Sequence, residues 1–224
     1  MKLAHYQAKR VQVNRRWHYE IAGHRYPGVT TILAATKPQA DREALYRWRQ
    51  RVGIETAKQI SGQASSVGTG LHKHIAAYLK GKTAELPERL SGYWSSIETV
   101  LQDIDEVLLV EGAVWHKHGF VGFPDALVVH QGQLCLCDWK TARKPKQIEW
   151  ITDYCLQVAA YCAAVNAVYG DEGIAVERAL IAIALDDQPA QRFEVNPAEL
   201  GLHWQGFQQR LFQFQNRGRE IPAW

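Results

Sequence analysis

A chain of 224 residues, 46% hydrophobic and 22% charged, is long enough to bury a core without disulfide or metal staples. No apolar run approaches the roughly 20 residues that span a bilayer, so no membrane partner is expected. The formal charge of +3 conceals an asymmetry: residues 1–51 hold 11 Lys and Arg against 3 Asp and Glu, the remainder 15 against 20. Such a basic N-terminal part points to an anionic partner, nucleic acid first, with a solvated basic face as the alternative.

The opening MKLAHYQAKRVQVNRR lacks the apolar segment and small-residue cleavage site of a secretory leader, so a reducing cytoplasm is expected. VQVNRRWHYEIAGHRYPGVTTIL alternates and is punctuated by Gly23, Pro27 and Gly28, which predicts a β-hairpin leading into a loop. Over 39–79 the pattern turns helical, broken at Gly53 and again by SSVGTG at 65–70, and a further amphipathic helix is expected over 88–100. The period then becomes two. Runs at 106–117, 120–130 and 133–140, joined by His118-Gly119 and Gln131-Gly132, predict an antiparallel three-strand meander.

Residues 149–169 are apolar on nearly every side and predict a helix pressed against that sheet. VERALIAIAL is a further strand, followed by a turn at DDQPAQ and the strand RFEV. Asn196-Pro197-Ala198-Glu199 offers an N-cap residue, Pro at the first helical position and Glu at N3, opening a terminal helix that runs towards Arg217. The whole predicts one α/β domain over 1–224, with a mixed central β-sheet flanked by helices. Residues 1–67 supply the hairpin and basic helical part, 68–195 the core, and 196–224 the C-terminal helix.

CLCDWKTARK, at 135–144, begins as a buried strand and ends in charge. Side chains at i and i+2 share a strand face, so Asp138 and Lys140 point one way with Leu136, and Cys135, Cys137 and Trp139 the other. An internal Asp-Lys ion pair at a sheet edge would explain the pair taken alone. Asp125, in GFVGFPDALVV on the preceding strand, changes the reading, because the short turn can set its carboxylate beside that of Asp138. Two carboxylates in one site repel unless a cation lies between them, and few hard oxygen ligands suit Mg²⁺ or Mn²⁺. On a helix starting near Gly70, His72 falls on the apolar stripe with Ile75, Ala76 and Leu79, and His74 faces solvent.

Pro124-Asp125, twelve residues, then Asp138-Trp139-Lys140 resembles the signature of the PD-(D/E)xK nuclease superfamily, with Asp as the third acidic residue. GTGLHKHIAAYL resembles the His motif of its RecB-like exonuclease branch. YCLQVAAYCAAVN is similar to the QxxxY motif of the helix after the catalytic strand, matching Gln157 and Tyr161. YPGVTTIL and ALYRWRQRVG resemble the opening motifs of the sub-branch of mitochondrial genome maintenance exonucleases and their bacterial and phage relatives.

The resemblance implies a restriction-endonuclease-like core and a metal-dependent DNA exonuclease preferring single-stranded ends. It implies a Mg²⁺ or Mn²⁺ site of Asp125, Asp138, His72 and the Trp139 carbonyl. Lys140 would steady the attacking water or the phosphate, and Gln157 and Tyr161 would support them. Arg143, Lys144 and Lys146 come directly after the site and suit phosphate contacts, and the helix carrying Tyr46, Arg47, Trp48, Arg49 and Arg51 suits a single strand. Glu111 is a further ligand or a polar neighbour.

All four cysteines, Cys135, Cys137, Cys155 and Cys162, surround the catalytic strand and helix rather than occupying the positions of the cluster-bearing relatives, so no iron-sulfur cluster is expected. No helicase motif is recognisable, so any unwinding would come from a helicase or recombination partner of a monomeric enzyme. A structure-specific or restriction-like endonuclease on the same core and a non-catalytic nucleic-acid-binding module are the alternatives.

Overall fold

The computed structural model describes residues 2–13 and 16–217. Met1, Asn14, Arg15 and residues 218–224, the end of the expected C-terminal part, lie outside the described residues. The alternating N-terminal segment forms an antiparallel sheet of β1 (Lys9–Val13), β2 (Arg16–Ile21) and β3 (His24–Tyr26). The next segment is a helix, α1 (Val29–Ala35), where the sequence predicts a loop. Its β-branched residues are weak helix formers. Val29, Ile32 and Leu33, at i, i+3 and i+4, bury one stripe in the core, and that burial decides the conformation.

Helices α2 (Gln39–Val52) and α3 (Ile54–Leu79) form a hairpin across Gly53, whose φ of 87° suits glycine. The predicted break at 65–70 does not occur. Gly70 and Gly68 instead let α3 lie close to its neighbours: a Cβ on Gly70 would stand 3.1 Å from Leu90 Cδ1, and one on Gly68 3.4 Å from Thr141 Oγ1. Helix α2 buries no residue, and α3 before Val67 buries only Ala57, so this hairpin stands off the body. Helix α4 (Ser91–Gln102) returns to the core.

The runs at 106–117 and 120–130 each split. Strand β4 (Ile104–Val110) ends at Glu111, in the left-handed region at φ 56°, and Pro124, which cannot donate to a ladder, precedes β7 (Ala126–His130). Between them β5 (Val114–His116) and β6 (Phe120–Gly122) leave the main sheet as a separate ribbon. With β8 (Gln133–Ala142), β9 (Ala179–Leu185) and β10 (Gln188–Val195), the main sheet has the order β10-β9-β8-β7-β4. Strands β4, β7 and β8 are antiparallel, as the meander requires; β8 and β9 are parallel, joined through α5 (Thr152–Tyr169); and β10 closes antiparallel on β9. The last turn is confined to Asp186-Asp187, because Gln188-Pro189 already enters β10 ahead of a register shift.

One face of the sheet, with Leu136, Ile181 and Ile183, packs under α1, α5 and α6 (Pro197–Gln215). The other, with Cys135, Cys137, Trp139, Ala182 and Ala184, packs under α3 and α4. The expected cap of α6 is a full capping box: Glu199 N–H donates to Asn196 Oδ1 at 3.0 Å, and Asn196 N–H to Glu199 Oε2 at 2.9 Å. Among the described residues no helix is long and apolar enough to cross a membrane.

Candidate active site

Strand β7 stops pairing at Ala126, opposite Cys137, while β8 continues to Ala142 against β9 alone. From Asp138 onward one edge of β8 is therefore free of a strand partner. The Pro124-Asp125 segment enters at that edge. Asp125 Oδ2 accepts the Trp139 N–H at 2.7 Å, and Asp125 Oδ1 lies 3.1 Å from His72 Nδ1 on α3. In an extended strand the N–H and C=O of one residue face the same edge, so the Trp139 carbonyl also turns towards Asp125.

Asp138 and Lys140 face α5, and Asp138 is 1% exposed. Gln157, on α5, donates through Nε2 to Asp138 Oδ1 and to the Tyr161 hydroxyl, each at 3.1 Å. The other oxygen, Oδ2, pairs with the Lys140 ammonium. The Lys140 Nζ also stands 5.1 Å from the Tyr154 ring centroid. Tyr154 is not among the residues expected from the sequence; with Gln157 and Tyr161 it continues an i, i+3, i+7 stripe on α5, and that stripe is the signal pointing to it. Gly122 makes room for this row: a Cβ there would stand 2.5 Å from Tyr161 Cδ1.

Burial raises the Asp138 carboxyl to about 6, with Lys140 opposing the rise and Asp125 adding to it. Burial works against the Lys140 ammonium, but the charges of Asp138 and Asp125 outweigh it and hold the amine above its ordinary value. His72 behaves alike: burial lowers it, and the hydrogen bond and charge of Asp125 bring it out raised. Burial pushes the Tyr161 phenol far up, so it stays protonated. Two carboxylates and an edge carbonyl supply hard oxygen donors, with the His72 imidazole a borderline fourth; this largely oxygen set fits Mg²⁺ or Mn²⁺. Among the described residues no three His, Cys, Asp or Glu side chains already form a metal cage.

Other expected residues lie further out. Arg143 is exposed, donates to Gln63 Oε1 at 3.0 Å, and lines a cleft of about 580 Å³ with Arg89, Tyr93 and Thr141 just beyond Lys140. Lys144 is exposed, whereas the backbone of Lys146 is clamped by the Gln191 amide at 2.6 and 2.9 Å. Arg47, Arg49 and Arg51 are exposed on α2, Arg47 lying 3.8 Å from Glu43, beside Tyr46, which is 63% exposed; Trp48 is half-buried. Glu111 pairs with Lys80 at 3.2 Å, and only its backbone N–H reaches the site, donating to the Asp125 carbonyl at 3.2 Å. His74 does not face solvent freely; it packs edge-on against Trp94 with centroids 4.8 Å apart, because α4 covers that side of α3.

The model of the PD-(D/E)XK nuclease superfamily matches residues 32–224. The chain is 33% identical over 205 residues to mitochondrial genome maintenance exonuclease 1 of Xenopus tropicalis, covering 87% of this chain and 58% of that protein. It is 31% identical over 199 residues to the protein of the same name from Homo sapiens, covering 84% and 58%. The chain thus spans under two thirds of the length of these curated relatives. A crystal structure from Eubacterium rectale superposes with a TM-score of 0.46 at 12% identity, over 67% of this chain and 66% of that one.

Proposed function

The chain belongs to the PD-(D/E)XK nuclease superfamily, and from that premise we propose that it is a Mg²⁺- or Mn²⁺-dependent DNA exonuclease acting on single-stranded ends. The observation that carries this reading is the juxtaposition of Asp125, His72, Trp139, Asp138 and Lys140 at the free edge of β8. Asp125, Asp138, His72 and the Trp139 carbonyl would hold the metal. A bound divalent ion would supply a more acidic water and neutralise charge on the phosphate.

Lys140, kept protonated by two carboxylates, presents an ammonium to the attacking water or the scissile phosphate. Gln157 fixes Asp138 Oδ1, and Tyr161 fixes Gln157 in turn, so the carboxylate keeps one orientation. Arg143, Lys144 and Lys146 provide sequence-independent phosphate affinity beside the site. The exposed aromatic and basic face of α2, with Tyr46, Arg47 and Arg51, favours an unpaired strand over a duplex.

Unwinding, where needed, is left to a helicase or recombination partner, and the enzyme acts as a monomer in DNA repair, recombination or replication. The four thiols fall in two core clusters on opposite faces of the sheet, which supports a reducing, cytoplasm-like compartment and a protein without an iron-sulfur cluster.

End-labelled single-stranded DNA should be degraded with Mn²⁺ and left intact with chelator, and circular single strands should be spared. Asp138→Ala and Lys140→Ala should abolish turnover while leaving DNA binding largely intact. Turnover retained by either variant at saturating metal rejects the site; cutting of the circle rejects the exonuclease reading.

A further inference from the structure

A second cleft, of about 360 Å³, lies between the N-terminal sheet, α1 and the end of α6. Arg10, Arg16 and Arg217 line it together with Trp17, Tyr19 and Phe214, and no carboxylate does. Among the described residues none of these three guanidinium groups makes an ion pair. Trp17 is 47% exposed and carries the Arg10 guanidinium 4.1 Å from its ring centroid. Three exposed guanidinium groups and a half-exposed indole thus share one concavity, a combination of positive charge and flat aromatic surface that suits an anionic ligand carrying planar rings.

One wall of the cleft packs against the segment that carries Asp125. Tyr19, on its wall, packs against Phe123 with centroids 4.8 Å apart. Phe123 stands two residues before Asp125, about 7 Å of extended chain. Arg143 and its cleft are reached from the site by the other route, along β8 through Thr141.

We propose that the Arg10-Arg16-Trp17-Arg217 cleft is a second anchoring site for a single-stranded polynucleotide, holding the part of the strand that leaves the active site past Phe123. The inference rests on the nuclease reading above and extends it to where the substrate lies. Guanidinium groups bind phosphate in a bidentate fashion, and the indole stacks on an unpaired base, which a duplex does not offer. A volume of this size takes about one nucleotide unit at a time.

The test is binding of fluorescent oligothymidylate, and of a duplex of equal length, to the full chain in chelator, where nothing is cut. The Arg10→Gln/Arg16→Gln/Arg217→Gln variant should bind the single strand about tenfold more weakly, with a salt slope shallower by about 2, as loss of three phosphate contacts requires. Trp17→Ala should weaken single-strand binding with the salt slope unchanged. Both alter exposed side chains, so unchanged thermal melts will show that they fold. Unchanged affinity and slope in the triple variant, or equal losses for duplex and single strand, overturn the assignment.

With Mn²⁺, a substrate too short to reach the cleft should be cut equally by variant and wild type. If no DNA is ever cut but the affinity losses appear, the cleft stands and the nuclease reading falls. If cutting is normal and affinities do not move, the cleft alone falls.

Discussion

Gln157 is a polar side chain in the largely apolar middle of α5, and both hydrogens of its amide are used, one on Asp138 and one on Tyr161. Gln157→Leu keeps the volume but leaves Asp138 Oδ1 without a donor. Activity or metal affinity should fall about 10–100-fold, visible as a rightward shift in Mn²⁺ titrations of the rate. A wild-type titration curve would show that Gln157 merely fills space. His116, on β5, is a polar group of a different kind, only partly buried. Burial, with His118 and Lys117 adding like charge, lowers its imidazole to about 4. The unfolded ring takes a proton near 6.5, so between about pH 6.5 and 4 the unfolded state binds more protons, and stability must fall as the pH falls. The residue is only partly buried, so the loss is on the order of 1 kcal/mol after screening. His116→Phe should flatten that acid limb in urea melts; an unchanged limb means that other groups set it.

At the scale of elements, two close approaches decide where side chains can go. The β5–β6 ribbon ends at Gly122, whose missing Cβ leaves space for the Tyr161 ring. Gly122→Ala places a methyl 2.5 Å from Cδ1 and 2.6 Å from Cε1 of that ring, so α5 or the ribbon must shift. We expect a loss of about 1–3 kcal/mol in stability, with activity reduced beyond it as Tyr161 leaves Gln157. A variant as stable as wild type would refute the packing argument. Helix α3 shows the same physics with the opposite outcome for reading a sequence. Glycines that look like breakers are there for contact with Leu90 and Thr141, and the helix runs straight through them to deliver His72 to Asp125.

Over the whole molecule, Arg210 ties three helices together. From α6 it donates to the Leu33 carbonyl and Thr36 Oγ1 at the end of α1, each at 2.6 Å, and to Asp153 Oδ1 at the start of α5 at 3.1 Å. Arg210→Met would strand these buried acceptors. Asp153 keeps Lys37, so the cost should be near the lower end of a broken buried pair, about 3 kcal/mol, measured by chemical denaturation. A stability change under a third of that would mean that the three helices are held by apolar packing alone.

Much of this molecule is local information. The i, i+2 alternation of 135–140 by itself puts Asp138 and Lys140 on one strand face and the cysteines on the other, and the Asn196-Glu199 spacing by itself makes the α6 capping box. The short Gln131-Gly132 turn by itself makes β7 and β8 neighbours. What periodicity could not contain were choices that depend on distant partners. The helix at 29–35 exists because three of its side chains find the core, and the long runs split because Glu111 and Pro124 turn the chain out of the sheet. Asp125 meets the Trp139 N–H because β7 ends where β8 continues. The Arg10-Arg16-Arg217 cleft joins the two ends of the described chain. Turn and cap chemistry acts over a few residues and is written in spacing. The free edge of β8 and the cleft arise only when segments far apart in the chain close on one core, and so the tertiary structure alone decided them.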